Sequence, residues 1–292
     1  MTKFDVIVGN PPYQGAKSTG TKGGKPPTIW PKFVETCNQQ LADDGVMVLV
    51  HPAMYRKPGN ELQNILFTNC VQLHMYNNAE AIETFGANTR YDWYVIDKTY
   101  QGTTKVYFED LTTKDVDLKP GVFMPNGSWH AWQQVMAAGD HLQVTKKTDT
   151  SNDVGNFDII HTITKTKGMV VRKSSNKPKS YGVRKVILSE TGCEAFYDKE
   201  GTFGTSCNCY YVKVDTDDQG ESLVRFVNSD LCDHLTQSVK WSNFRTEYCL
   251  WTYIACPWLL GIDSNSTEED INKAYGISAT DIAFIYGQNR NK

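Results

Sequence analysis

A chain that runs Phe4-Asp5-Val6-Ile7-Val8-Gly9 and then breaks into Asn10-Pro11-Pro12-Tyr13 has few ways to fold at that point. A short, apolar, β-branched run bounded by Gly and Pro predicts a fully buried strand from about Phe4 to Val8, as in the sheet of an α/β protein. Two consecutive prolines continue neither a strand nor a helix, so the chain leaves the sheet in a stiff, extended turn with both proline carbonyls free. Active groups gather beyond the carboxyl ends of such strands.

That turn is a fixed set of acceptors. An Asn side-chain oxygen, a rigid main-chain carbonyl and an aromatic face side by side suit a planar, electron-poor amine. Two acceptors drawing on its N–H bonds return lone-pair density to nitrogen and make it nucleophilic. Asn10 offers its amide oxygen, Pro11 its carbonyl, and Tyr13 a face on which an extruded base can stack, with Pro12 holding the turn stiff. No metal and no general base is required. Eight cysteines include no Cys-x-x-Cys pair, Cys207-Asn208-Cys209 being a poor zinc spacing, and six scattered histidines show no ligand spacing, so no metal is assigned.

Strand-Asn-Pro-Pro-Tyr resembles motif IV of S-adenosylmethionine-dependent amino-methyltransferases. Its surroundings resemble gamma-class adenine-N6 DNA methyltransferases of the type IIG restriction-modification kind. Further on, Glu83-Thr84-Phe85-Gly86-Ala87-Asn88-Thr89-Arg90-Tyr91-Asp92-Trp93 resembles motif VIII of that class. The residue matching its aromatic is Phe85, which would stack on the flipped base opposite Tyr13, although Tyr91 and Trp93 stand close enough in sequence to take that place.

The 292 residues suffice for two domains, and 40% hydrophobic with 22% charged residues is ordinary globular composition. No run of about 18 apolar residues exists and the chain starts in a strand, so neither a membrane span nor a signal peptide is expected, and the setting is the cytoplasm of a bacterial or phage-infected cell. Net charge is −3, yet Lys165, Lys167, Arg172, Lys173, Lys177, Lys179, Arg184 and Lys185 form a block of eight basic residues without a single acid, leaving −11 for the remainder. Such a block suits a DNA backbone. Lys17, Lys22 and Lys25 in the Gly-rich stretch after Tyr13 suit either a loop closing over DNA or a plain linker.

Thr28 is expected to cap a helix with Ile29, Phe33, Cys37 and Leu41 on its packed face, followed by strands at Val46 to Val50 and Val71 to Tyr76 with a weak helix at Asn60 to Phe67 between them. That order fits the second half of a Rossmann-like, doubly wound sheet. A boundary is placed after residue 112. Residues 113–292 contain β-like runs (Asp158 to Thr164, Val183 to Ser189, Cys209 to Val214), one amphipathic helix from Glu221 to Val239 and further helices near Glu247 to Ala255, Thr267 to Tyr275 and Thr280 to Tyr286. The resemblance makes this α+β region a target recognition domain for double-stranded DNA.

Only nine residues precede Asn10, and Thr202-Phe203-Gly204-Thr205 lacks the second glycine of a cofactor turn. The resemblance therefore implies S-adenosylmethionine held mainly by a glycine-rich lobe that is either missing or supplied by a second chain, as in one piece of a split gene, with Asn10 the partial contact here. Two alternatives stay open: a non-catalytic DNA-binding or specificity fragment, and a methyltransferase acting on RNA or on protein glutamine.

Overall fold

The computed structural model describes residues 3–16, 26–146, 149–192, 194–241 and 245–289. They form two compact units, one running to Gly127 and joined by Trp241, the other made of Ser128–Lys240 and the residues from 245 onward.

The first unit is built on six strands, β1 (Phe4–Gly9), β2 (Leu41–Pro52), β3 (Cys70–Tyr76), β4 (Tyr91–Asp97), β5 (Thr104–Tyr107) and β6 (Thr113–Val116), arranged in space as β1-β2-β4-β3-β5-β6. β1 and β2 are parallel, with Val6 beside Val46 and Val8 beside Val48, and so are β3 and β5. β4 enters between β2 and β3 antiparallel to both, so the sheet is mixed. β6 pairs with β5, which keeps the chain beyond residue 112 in the first unit and moves the division to Gly127.

β1 is not buried as its composition predicts. It lies at the sheet edge with β2 as its one neighbour, and Phe4, Val6 and Val8 are 47%, 62% and 72% exposed. The apolar run states a demand for cover that no described residue meets. β2 shows the ordinary alternation instead, with Met47, Leu49 and His51 buried on one face and Val46, Val48 and Val50 half-buried on the other.

Three helices accompany this sheet: α1 (Trp30–Gln40), α2 (Gln63–Leu66) and α3 (Asn78–Phe85). α1 differs from expectation. Ile29, not Thr28, is its N-cap, Pro31 lies in its first turn, and the buried side chains are Trp30 and Val34 while Phe33 stays exposed. Leu41 has already left the helix for β2. α3 is sharply bounded by a capping box between Asn77 and Glu80 and by Gly86 in the left-handed region (φ 64°), where a residue with a Cβ would be strained. That stop places Phe85 at the helix end.

The second unit contains α4 (Trp129–Ala137), β7 (Val144–Thr145), β8 (Phe157–Thr164), β9 (Gly168–Ser174), β10 (Lys185–Ser189), β11 (Ala195–Asp198), β12 (Phe203–Thr205), β13 (Cys209–Lys213), α5 (Asp217–Val227), α6 (Asp230–Gln237), α7 (Glu268–Ala274) and α8 (Ala279–Asn289). Two sheets, β11-β10-β13-β7 and β12-β8-β9, enclose Ile160, Ile163, Ile187, Cys209 and Tyr211. The single helix expected over Glu221 to Val239 is two helices, because Ser229 accepts from the Cys232 N–H at 3.1 Å and starts α6 anew. Where a helix was expected near Glu247, Tyr248–Tyr253 forms a 3₁₀ turn. No helix among the described residues is long and apolar enough to cross a membrane.

Candidate active site

The turn after β1 opens onto a cleft of about 600 Å³ within the first unit. One wall is Asn10 to Gln14; the other is Phe85 with Ala87 to Thr89, and Pro52 at the end of β2 also lines it. Asn10 is exposed, Pro11 and Tyr13 are half-buried, and Phe85 is 39% exposed. The structure thus brings Asn10, Pro11, Pro12, Tyr13 and Phe85 to one cavity. Tyr91 lies behind Phe85, meeting it edge-on at 4.9 Å, and Trp93 stacks on His74 at 3.7 Å; neither lines the cleft.

Main-chain bonds hold the turn in place. The Tyr13 carbonyl accepts from the Ile29 N–H at 3.1 Å, and the Gly15 N–H donates to the Pro27 carbonyl at 2.8 Å. This ties the turn to the start of α1. Trp30, the first residue of α1, stacks on the imidazole of His51 with centroids 4.3 Å apart. His51 is itself fixed: Nδ1 is 3.1 Å from the Pro52 carbonyl, which can only accept, so Nδ1 carries the proton and Nε2 accepts from the Tyr94 hydroxyl at 3.0 Å. Burial lowers the pKa of His51 from 6.5 to about 4, keeping it neutral.

The Tyr13 hydroxyl is buried and has no hydrogen-bond partner among the described residues. Its pKa is raised, first by burial and then by the neighbouring Tyr91. The ring, not the hydroxyl, is what the cleft presents.

The opposite wall rests on charge. Arg90 closes the loop that carries Asn88 and Thr89; its Nε donates to both Glu109 oxygens at 2.9 and 3.0 Å, and its carbonyl accepts from the Ala53 N–H at 3.2 Å. Behind it, Arg56 Nε lies 2.9 Å from Asp92, both side chains fully buried, and Arg56 also approaches Glu109 at 3.7 Å. Sequence reasoning missed His51, Arg56, Asp92 and Glu109. His51 and Asp92 carried a signal as polar residues inside apolar strands; Arg56 lies in the 3₁₀ turn Ala53–Arg56 and Glu109 in the turn after β5, and the pairings span distant parts of the chain.

The basic block does not act as one patch. Arg172 is exposed on β9 and Lys179 is exposed, but Lys173 Nζ is 2.6 Å from Asp158, Lys177 lies over the Tyr181 ring at 5.5 Å, and Arg184 is 3.2 Å from Asp217. Lys185 is fully buried, with Nζ 2.6 Å from Asp198 and on the carbonyls of Ser180 and Val183, and burial lowers its pKa. It leaves the exposed set, because every residue of β10 is buried. Lys17, Lys22 and Lys25 lie outside the described residues. Among the described residues no group of three His, Cys, Asp or Glu could hold a metal ion.

The model of the Eco57I restriction-modification methylase family matches residues 1–85, which reach from β1 to Phe85. No curated protein matches the chain. Among solved structures, the type IIL restriction-modification enzyme MmeI in complex with DNA is similar over 97% of this chain and 54% of that one, at 11% identity and a TM-score of 0.51. The type IIG restriction endonuclease BpuSI is similar over 94% and 49% at 12% identity (TM-score 0.33), and a type I restriction-modification methyltransferase subunit from Streptococcus thermophilus over 39% and 29% at 16% identity (TM-score 0.28). The chain spans from about a quarter to about half the length of these solved relatives. What it shares with the type IIL enzyme is a fold, and over residues 1–85 it carries the sequence pattern of a restriction-modification methylase.

Proposed function

We propose that this chain is the catalytic and DNA-recognition portion of a site-specific, S-adenosylmethionine-dependent DNA adenine-N6 methyltransferase. The observation that carries the reading is the meeting of Asn10, Pro11, Tyr13 and Phe85 in one cleft at the end of β1. A flipped adenine lies between the Tyr13 and Phe85 rings, its N6 hydrogens donated to the Asn10 amide oxygen and the Pro11 carbonyl. These acceptors stabilise the positive charge that builds on nitrogen as it attacks, and the rigidity of Pro11-Pro12 keeps them aimed without reorganisation. The second unit serves as the target recognition domain.

S-adenosylmethionine supplies an electrophilic methyl group when bound. Among the described residues the cleft lining carries no carboxylate for sugar hydroxyls and no glycine-rich turn, so these residues fit the amine half of the site and not a cofactor pocket. The open edge and bare apolar side chains of β1 support a further glycine-rich lobe, on another chain or another segment, that continues the sheet and holds the cofactor.

Replacing Asn10 with Ala tests the reading. Methyl transfer to DNA falls by on the order of a hundredfold or more while DNA affinity stays within about twofold. Loss of both together makes Asn10 a structural residue and removes the proposed chemistry.

A further inference from the structure

Thr164-Lys165-Thr166-Lys167-Gly168 is a hairpin sequence with a glycine where the chain must take a positive φ, and Gly168 does so at 62°. Thr164 pairs with Gly168, and the Lys167 N–H donates to Thr164 Oγ1 at 3.1 Å, closing a three-residue loop that presents two lysines. The third strand, β12, pairs only with Asp158 to Ile160. Thr162–Thr164 and Gly168–Val170 pair with each other, Ile163 still reaches the core, and the exposed end of this two-stranded ribbon runs from Lys165 to Met169. The major groove of B-DNA is about 12 Å wide and about 8.5 Å deep and admits such a ribbon.

The charge agrees with the shape. Lys165, Lys167 and Arg172 are exposed and have no ion-pair partner among the described residues. The one acid of the hairpin, Asp158, is held by Lys173. Arg172 sits four residues from Gly168 on the same strand, about 13 Å back from the tip.

We propose that the β8–β9 hairpin enters the major groove of duplex DNA, with Lys165 and Lys167 reading guanine edges and Arg172 contacting a phosphate. The inference rests on the DNA reading above and assigns it to one element. A charged edge strand that only deters aggregation has the same composition but no effect on sequence preference.

The test is selection of the full chain on a randomised duplex library, followed by titration of the enriched duplex over a salt series. The expected result is a motif containing guanine. In Lys165→Ala/Lys167→Ala the preference for guanine at the affected positions falls by roughly tenfold to a hundredfold, and 7-deazaguanine does the same to the unaltered protein. Lys165→Arg/Lys167→Arg keeps the preference, which separates reading from misfolding. Arg172→Ala weakens all duplexes alike and makes the salt slope shallower by about one. An unchanged motif in the double Ala variant overturns the inference and leaves the methyltransferase reading standing. Tighter binding to single strands or RNA than to duplex overturns it as well, and no DNA binding by the unaltered protein ends both.

Discussion

His51 Nε2 accepts a hydrogen bond from the Tyr94 hydroxyl at 3.0 Å while Trp30 stacks on the same imidazole, so the start of α1 is locked to the centre of the sheet. Through the Ile29 N–H, that lock also holds the Tyr13 carbonyl. The folded protein keeps His51 neutral down to a pKa of about 4, against 6.5 for an ordinary His. The unfolded chain takes up the proton first, so this contribution to stability is complete above about pH 6.5 and declines as pH falls toward 4. Between pH 7 and pH 5 His51 removes about 2 kcal/mol, at roughly 1.4 kcal/mol per pH unit below its unfolded pKa. His51→Phe, which preserves the stack, shows a correspondingly shallower acid decline in urea titrations run at several pH values.

Tyr13→Phe and Tyr13→Ala separate ring from hydroxyl. The hydroxyl is buried with no partner among the described residues, so its removal costs nothing and Tm holds or rises. On the proposed function, Tyr13→Ala loses a stacking face worth about 1–3 kcal/mol, read as a roughly tenfold to hundredfold fall in kcat/KM. Equal losses in the two variants contradict a stacking role.

Much of this site is legible in the sequence, since Asn10 to Tyr13 form one contiguous turn and Phe85 precedes a glycine that stops its helix. Burial of β1 is not, because an apolar strand encodes the need for cover and not its source. The packed face of α1 shifts by one position because Pro31, not Thr28, governs its first turn. Lys185 joins a basic block only by sequence adjacency; it lies in β10, which is buried on both faces, and pairs there with Asp198. Arg56 and Asp92 lie far apart in the chain, so no local pattern could pair them.

Lys185→Met leaves the Asp198 carboxylate without its cation inside the second unit. The expected cost is about 3–5 kcal/mol, measured as a lower urea midpoint, with the DNA affinity of the folded protein unchanged. A selective loss of DNA binding at full stability places Lys185 on the DNA surface instead.

Glu109→Gln removes the charge from the two bonds that fix Arg90. The loop from Gly86 to Arg90 then opens more often, and hydrogen exchange there speeds up by roughly tenfold or more, as expected for loss of a charge-assisted bond of about 1.5–3 kcal/mol. On the proposed function, KM for DNA rises more than kcat falls, because the loop would position a stacking wall and not the reacting nitrogen. Unchanged exchange means the loop is held by other contacts.

The most direct test incubates the protein, alone and together with a chain that supplies a glycine-rich cofactor lobe, with tritiated S-adenosylmethionine and unmodified duplex DNA, then identifies the labelled nucleoside after digestion. The expected result is label in N6-methyladenine, dependent on that lobe and absent with Asn10→Ala. Label in N4-methylcytosine, or transfer only to RNA or to protein glutamine, contradicts it.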